Sequence, residues 1–136
     1  MNARDSAGDV RDWLSRARDD LRWAAYSLEG GYWPQACFGC QQAAEKSLKA
    51  FLLSRGWRLE RTHSLPDLLA ASTDYEPDLD RFGRSAVILD IYYAATRYPD
   101  VPLSVSYTEK QAQDALTRAT ELVSEIARLI EAGEES

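Results

Sequence analysis

The sequence is poor in the residues that build covalent cross-links and metal sites. It has only two cysteines and one histidine in 136 residues, too few to supply the four ligands of a structural zinc site without further donors. Both cysteines are expected to be reduced. A chain of this length can bury an adequate core without such supports. We therefore expect no metal and no cofactor.

Long apolar runs and excess positive charge are also missing. No stretch approaches the roughly 20 consecutive apolar residues of a membrane span, and the first ten residues, MNARDSAGDV, lack the apolar core of a signal peptide. Acidic residues outnumber basic ones by 22 to 16, which gives a net charge of −6, whereas nonspecific binding of nucleic acid requires a positive surface. The sequence predicts a cytoplasmic protein that is not in the membrane and makes only local contacts with nucleotide or RNA.

Helical periodicity, in contrast, is abundant. Apolar residues recur at steps of three and four from Val10 to Leu28, from Cys37 to Leu52 and from Ala112 to Ile130. Between the second and last of these segments, Ser64 followed by Asp67 predicts the start of a short helix with the sequence LPDLLAAS.

A fourth long helix is expected to begin at Pro77 and to end at RYPD, because the residue before a proline is disfavoured in helical geometry. One of its faces carries Leu79, Phe82, Ala86, Leu89, Tyr93 and Thr96. Its opposite face is also apolar, so we expect this helix to be buried on two sides. The prediction is an all-α, antiparallel up-and-down bundle of four long helices plus one short helix, forming a single domain over 1–136 with an ordered part of roughly 9–131.

Several apolar side chains fall outside the stripes that the core needs. Aromatic residues beside arginine are favoured at the centres of protein interfaces. We expect these side chains to form a homodimer interface, while the alternative is that the short helix and the segment after the fourth helix cover them within one chain. The predicted interface residues are Trp23, Tyr26, Phe38, Val87 and Ile91.

The motif CFGC, from Cys37 to Cys40, has the spacing of a redox or metal pair. Both sulfurs fall on the apolar stripe of the second helix, so packing is the favoured interpretation. Four residues after Gln41, the second helix carries Glu45, and four further on Lys49. Glu45 and Lys49 first suggest a helix-supporting ion pair. A buried Gln41 would need hydrogen-bond partners, either as a cap or as part of a small polar site.

Basic residues and the single histidine follow the second helix. Arg58 and His63 are separated by four residues and could act together as an RNase pair, with arginine clamping phosphate and neutral histidine accepting a proton from a ribose hydroxyl. The structural alternative is that His63 fixes a loop through hydrogen bonds. Arg97, Tyr98 and Asp100 of RYPD could present a phosphate-binding fork, a stacking ring and a carboxylate, or could simply close a helix.

Three motifs taken together resemble one family. QAAEKSLKAFLLSRG (42–56), HSLPDLL (63–69) and YYAATRYPD (92–100) occur in an order and spacing similar to the HEPN domain, the higher eukaryote and prokaryote nucleotide-binding family. The resemblance implies a helical bundle that pairs as a homodimer, often beside a minimal nucleotidyltransferase in a toxin and antitoxin pair.

Many members of that family are metal-independent RNases, in which an arginine is followed after four to six residues by a histidine on a later helix. Here only Arg58 and His63 have that spacing, and Arg97 on the later helix has no histidine after it. His63 instead matches the HSL element of the nucleotide-binding branch.

The resemblance therefore favours a noncatalytic module that binds a nucleotide or a nucleotidyltransferase, with a polar site formed by Lys49, His63, Arg97, Tyr98 and Asp100. An RNase toxin using Arg58 and His63 is the second hypothesis, and a structural or adaptor bundle is the third.

Overall fold

The computed structural model describes residues 3–58, 62–97 and 107–135, and the side chains of 8–58, 62–93 and 107–134. These residues form five α-helices and no strand, which confirms the predicted all-α bundle of four long helices and one short one. The helices are α1 (Ala3–Glu29), α2 (Trp33–Ser54), α3 (Leu65–Thr73), α4 (Gly83–Arg97) and α5 (Glu109–Glu135), with a 3₁₀ helix at Pro77–Phe82 between α3 and α4.

Helix α2 lies at the centre of the bundle and packs against α1, α3, α4 and α5. Pro34 lies in its first turn, where a missing backbone N–H costs nothing. At its other end Gly56 adopts a positive φ of 88°, and its N–H donates to the Leu53 carbonyl at 3.0 Å. Glycine fits this left-handed position without steric cost, which suits the end of α2.

Helices α1 and α2 run antiparallel and lie very close together. Trp13 near the start of α1 lies over Lys49 near the end of α2, and Trp23 further along α1 covers Gly39 nearer the start of α2. A Cβ atom at Gly39 would lie 2.8 Å from Cε3 of Trp23. The glycine therefore permits the close approach of the two helices.

The core is built around the apolar side of α2 and includes both cysteines. Cys37 and Cys40 are fully buried free thiols, so the packing interpretation of CFGC is confirmed. The largest fully buried apolar side chains come from α2, α3, the 3₁₀ helix, α4 and α5 and are Phe51, Leu48, Leu52, Leu65, Leu68, Leu79, Leu89, Leu122 and Ile126.

The predicted start of the fourth helix at Pro77 is wrong, because α4 begins at Gly83 and Pro77–Phe82 is a 3₁₀ helix. Leu79 and Phe82 are both buried and lie three residues apart. Side chains three apart eclipse in a 3₁₀ helix, so this geometry directs both of them into the core.

The expectation that the fourth helix is buried on two sides is also wrong for the single chain. Val87 and Ile91, one turn apart on α4, are 56% and 48% exposed. Tyr92 is buried on the core side, while Tyr93, which the periodicity assigned to that face, is only partly buried. Within the described part of the chain, no helix is long and apolar enough to span a membrane.

Candidate functional site

A buried carboxylate, that of Glu45, lies at the centre of the main polar cluster of the bundle. The Nζ atom of Lys49 donates to it at 2.9 Å, and Nε2 of Gln41 donates at 3.3 Å. Nδ1 of His63 lies 3.2 Å from Oε1 and 3.3 Å from Oε2 of the same carboxylate. We call these four residues, Gln41, Glu45, Lys49 and His63, the Glu45 cluster.

The spacing of α2 explains three members of the Glu45 cluster. Gln41, Glu45 and Lys49 are four residues apart, so their side chains follow one another along a single face of the helix. The Glu45 and Lys49 side chains are only 6% and 7% exposed. The Lys49 ammonium also lies 5.6 Å from the centre of the Trp13 ring, a cation–π contact that closes it off from α1. The pair is therefore buried, and is more than a surface support for the helix.

His63 joins the cluster from the loop between α2 and α3. Its ring stacks on Tyr93 of α4, with centroids 4.6 Å apart and planes inclined by 16°, yet the side chain remains 50% exposed. An ionised carboxylate only accepts hydrogen bonds, so Nδ1 of His63 would be the donor to a charged Glu45. In the neutral ring Nε2 would then be the acceptor.

The segment after His63 is fixed to α4 as well. The backbone N–H of Leu65 donates to Oδ1 of Asp90 at 2.9 Å, and the N–H of Asp67 donates to the Ser64 hydroxyl at 3.3 Å. These bonds satisfy donors in the first turn of α3 that have no partner within the helix. The start of α3, and with it the histidine loop, is thereby held against α4.

The structure brings two of the predicted site residues together. Lys49 and His63 meet through Glu45, although Lys49 is buried and His63 is half exposed. Arg97 is the last residue of α4, one turn after Tyr93, and its side chain lies outside the described residues. Tyr98 and Asp100 lie outside the described residues altogether. The composition of the site thus stays a prediction.

The alternative catalytic pair is described only in part. Arg58 is exposed just after the end of α2, and residues 59–61 between it and the histidine loop lie outside the described residues. His63 has a feature that suits a general base, since a carboxylate orients its Nδ1.

Sequence reasoning missed Glu45 and Tyr93 as parts of the site. The spacing of Glu45 to Lys49 was visible, but it indicated only an ion pair within one helix. The signal that could have suggested more is Gln41, which extends the polar line on an otherwise buried helix face. Tyr93 carried no such signal, because its position was assigned to the apolar stripe.

The predicted interface residues differ in their exposure. Trp23 is 45% exposed and Tyr26 78% exposed on α1, while Phe38 on α2 is half-buried. On α4, Val87 and Ile91 form an exposed aliphatic pair, which we call the α4 patch.

The two thiols of α2, Cys37 and Cys40, are not part of the Glu45 cluster. Burial raises the pKa of Cys37 to about 11, although a hydrogen bond with Tyr92 acts in the opposite direction. Burial, together with the neighbouring Cys37, raises the pKa of Cys40 to about 12. Thiolate is the reactive form of cysteine, so neither residue is an activated nucleophile at neutral pH. No group of three or more possible metal ligands occurs among the residues that the structure describes.

The fold and the Glu45 cluster together define a class: an all-α bundle whose central helix, a histidine loop and α4 meet at a polar site. The model of the HEPN domain matches residues 10–129. The chain belongs to the HEPN family, which confirms the resemblance carried by its three motifs.

Solved structures agree with this assignment. The chain is 39% identical to TT1696 from Thermus thermophilus, with a TM-score of 0.76 and coverage of 88% of this chain and 96% of that one. It is 34% identical to ST0689, an archaeal HEPN homologue, with a TM-score of 0.71 and coverage of 89% and 97%. A HEPN domain protein from Thermotoga maritima, tm0613, is 28% identical, with a TM-score of 0.62 and coverage of 89% and 95%. No protein with curated annotation matches this chain.

Proposed function

We propose that this chain is a noncatalytic, homodimeric HEPN module that binds a nucleotide, with His63 as its central contact. The proposal includes a minimal nucleotidyltransferase as a partner of toxin and antitoxin type. The observation that carries it is the geometry of His63: Glu45 holds Nδ1 from one side, Tyr93 stacks on the ring, and half of the side chain is open to solvent.

The aromatic contact of His63 and the sequence of α4 after Tyr93 support a nucleotide as the ligand. Tyr93 already forms an aromatic stack there, and Arg97 follows it by one turn at the end of α4. An arginine can hold phosphate oxygens with a planar fork of donors. With a net charge of −6, the chain as a whole repels polyanions, so a small phosphate-bearing ligand at one site is better suited than extended nucleic acid.

Titration of the ¹⁵N-labelled protein with AMP, ATP and GTP tests the proposal. We expect signals of the His63 loop and the end of α4 to shift with saturation for at least one nucleotide. His63→Ala should weaken the binding at least tenfold, or about 1.4 kcal/mol, because it removes both the ring and the Nε2 group. Arg128→Ala is the matched control, since it removes an exposed positive charge from α5 and no part of the cluster.

The second hypothesis, an RNase that uses Arg58 and His63, is favoured by one observation, the orientation of His63 by Glu45. Incubation of the same purified proteins with total RNA separates the two functions. Cleavage by the wild type that is lost in both Arg58→Ala and His63→Ala would overturn the noncatalytic proposal. Intact RNA, together with no saturable signal shift on addition of nucleotide, would favour the third hypothesis, a structural or adaptor bundle.

A further inference from the structure

We propose that Glu45 is a positioning residue that selects one tautomer of His63 and directs its Nε2 toward the ligand, with Lys49 as the counter-ion that keeps Glu45 charged. This inference rests on the proposed function in one respect, that His63 contacts the ligand. It assigns Lys49 an indirect role, which its burial favours over direct contact.

The contacts of His63 leave little freedom for its ring. Nδ1 lies within 3.3 Å of both oxygens of Glu45, so it is shared between the two oxygens and is not paired with one alone. The stack on Tyr93 fixes the plane of the ring. If the ring were reversed, a carbon would face the carboxylate in place of Nδ1. In the other neutral tautomer, Nδ1 would turn a lone pair toward the carboxylate, which needs a donor.

Glu45 itself is held so that it can serve only the cluster. Lys49 occupies Oε2 at 2.9 Å and Gln41 occupies Oε1 at 3.3 Å. The amide of Gln42 donates to the carbonyl oxygen of Gln41 at 2.6 Å, which directs the NH₂ group of Gln41 toward Glu45. With three donors and only 6% exposure, the carboxylate is closed to an external ligand.

The role of Lys49 follows from the cost of an unpaired buried charge. A carboxylate that is removed from water remains ionised only when a cation and further hydrogen bonds replace its hydration. His63 cannot supply that charge when its ring is neutral, so the permanent partner is Lys49, whose ammonium is enclosed by Glu45 and Trp13.

The tautomer can be measured directly because the chain has a single histidine. Long-range ¹H–¹⁵N correlation spectra of the imidazole, recorded over a pH series that includes the neutral ring, distinguish Nδ1–H from Nε2–H. We expect Nδ1–H to predominate in the wild type. In Glu45→Met/Lys49→Met, which removes both buried charges at once, the ratio should shift at least tenfold toward Nε2–H.

Two matched variants separate this role from simple stabilisation. Glu45→Gln/Lys49→Met differs from the double methionine variant only by an amide, whose oxygen can accept from Nδ1 while its NH₂ group can donate to the other tautomer, so it should keep more Nδ1–H than the methionine variant. Asp20→Asn/Lys46→Met removes the neighbouring 2.8 Å ion pair between α1 and α2 and should leave the ratio unchanged. A wild type without excess Nδ1–H, or equal ratios in the amide and methionine variants, would overturn the proposal.

The tautomer measurement also distinguishes failure of this inference from failure of the proposed function. The tautomer ratio is read without nucleotide, so absent binding would overturn the proposed function and leave the ratio as evidence on Glu45. If nucleotide binds, the methionine variant should lose affinity at least fivefold, and it should lose more affinity than the amide variant. Unfolding of the methionine variant would be evident from its amide spectrum, and the wild-type spectrum would then decide, because a wild type without excess Nδ1–H overturns the proposal.

Discussion

Cys37 and Cys40 show how burial alone can determine the chemistry of a residue. Both thiols are fully buried, and the pKa values are about 11 and about 12, against 9.0 for an ordinary thiol. Because the folded chain holds these protons more tightly than the unfolded chain, their contribution to stability is intact below pH 9. It is lost as the pH rises toward the folded values.

The stability of Cys40→Ala relative to wild type should therefore depend on pH. Between pH 8 and pH 10 the wild type should lose about 1 kcal/mol for this thiol, the amount that roughly one pKa unit represents. The variant lacks that loss, so its deficit in unfolding free energy should shrink at pH 10. Urea unfolding at the two pH values measures the difference, and an equal deficit at both would contradict the raised pKa.

At the scale of the element, α3 is the shortest α-helix in the described part of the chain. It has nine residues, Leu65–Thr73, and isolated helices shorter than about 12 residues are marginal in water. Its first turn receives two polar contacts, from Ser64 within the loop and from Asp90 on α4. The hydrogen bond from the Leu65 N–H to Asp90 thus links formation of α3 to its packing against α4.

Removal of that link should loosen α3 and the His63 loop together. Asp90→Ala should cost about 1 kcal/mol of unfolding free energy, the usual value of a lost helix cap, and should raise hydrogen exchange in 62–73 more than in α5. Asp90→Asn is the control, because its side-chain oxygen can still accept from Leu65. Equal exchange in Asp90→Ala and wild type would show that apolar packing of Leu65 and Leu68 is sufficient to hold α3.

How well each element could be predicted depended on how far apart in the sequence the residues that determine it lie. The stripes of α1, α2 and α5, and the Ser64 cap of α3, depend on residues a few positions apart, so periodicity and capping chemistry were sufficient. The segment 77–82 was different, because Leu79 and Phe82 satisfy an α-helical pattern as well as a 3₁₀ one. Only their joint burial in the assembled core selects the 3₁₀ helix.

The candidate site was harder to predict for the same reason. Lys49 and His63 were recognised as polar residues, but the contact between them passes through Glu45, and His63 is 18 residues further along the chain than Glu45. Tyr93 comes from another helix again. Periodicity within one helix carries no information on which helices meet, so the resemblance to HEPN domains indicated Lys49 and His63, while the parts played by Glu45 and Tyr93 became evident only from the fold.

At the scale of the whole molecule, the α4 patch is an exposed aliphatic surface on the described part of the chain. Val87 and Ile91 lie one turn apart and are about half exposed, although both are β-branched aliphatic residues. Because about half of each side chain is already buried, covering the rest against a second molecule would contribute about 1 kcal/mol each. This patch also lies on the helix that carries Tyr93, so pairing of two chains through α4 would bring their sites near one interface.

We expect the wild type to sediment as a dimer at micromolar concentration and the double variant Val87→Glu/Ile91→Glu to sediment as a monomer. Two buried carboxylates would replace apolar contacts, so dimer affinity should fall at least a hundredfold, or about 2.7 kcal/mol. Tyr75→Glu is the control, since Tyr75 is 45% exposed and lies outside the predicted interface. If Tyr26→Glu separates the subunits while the α4 double variant does not, the interface lies on α1, and the two sites need not approach each other.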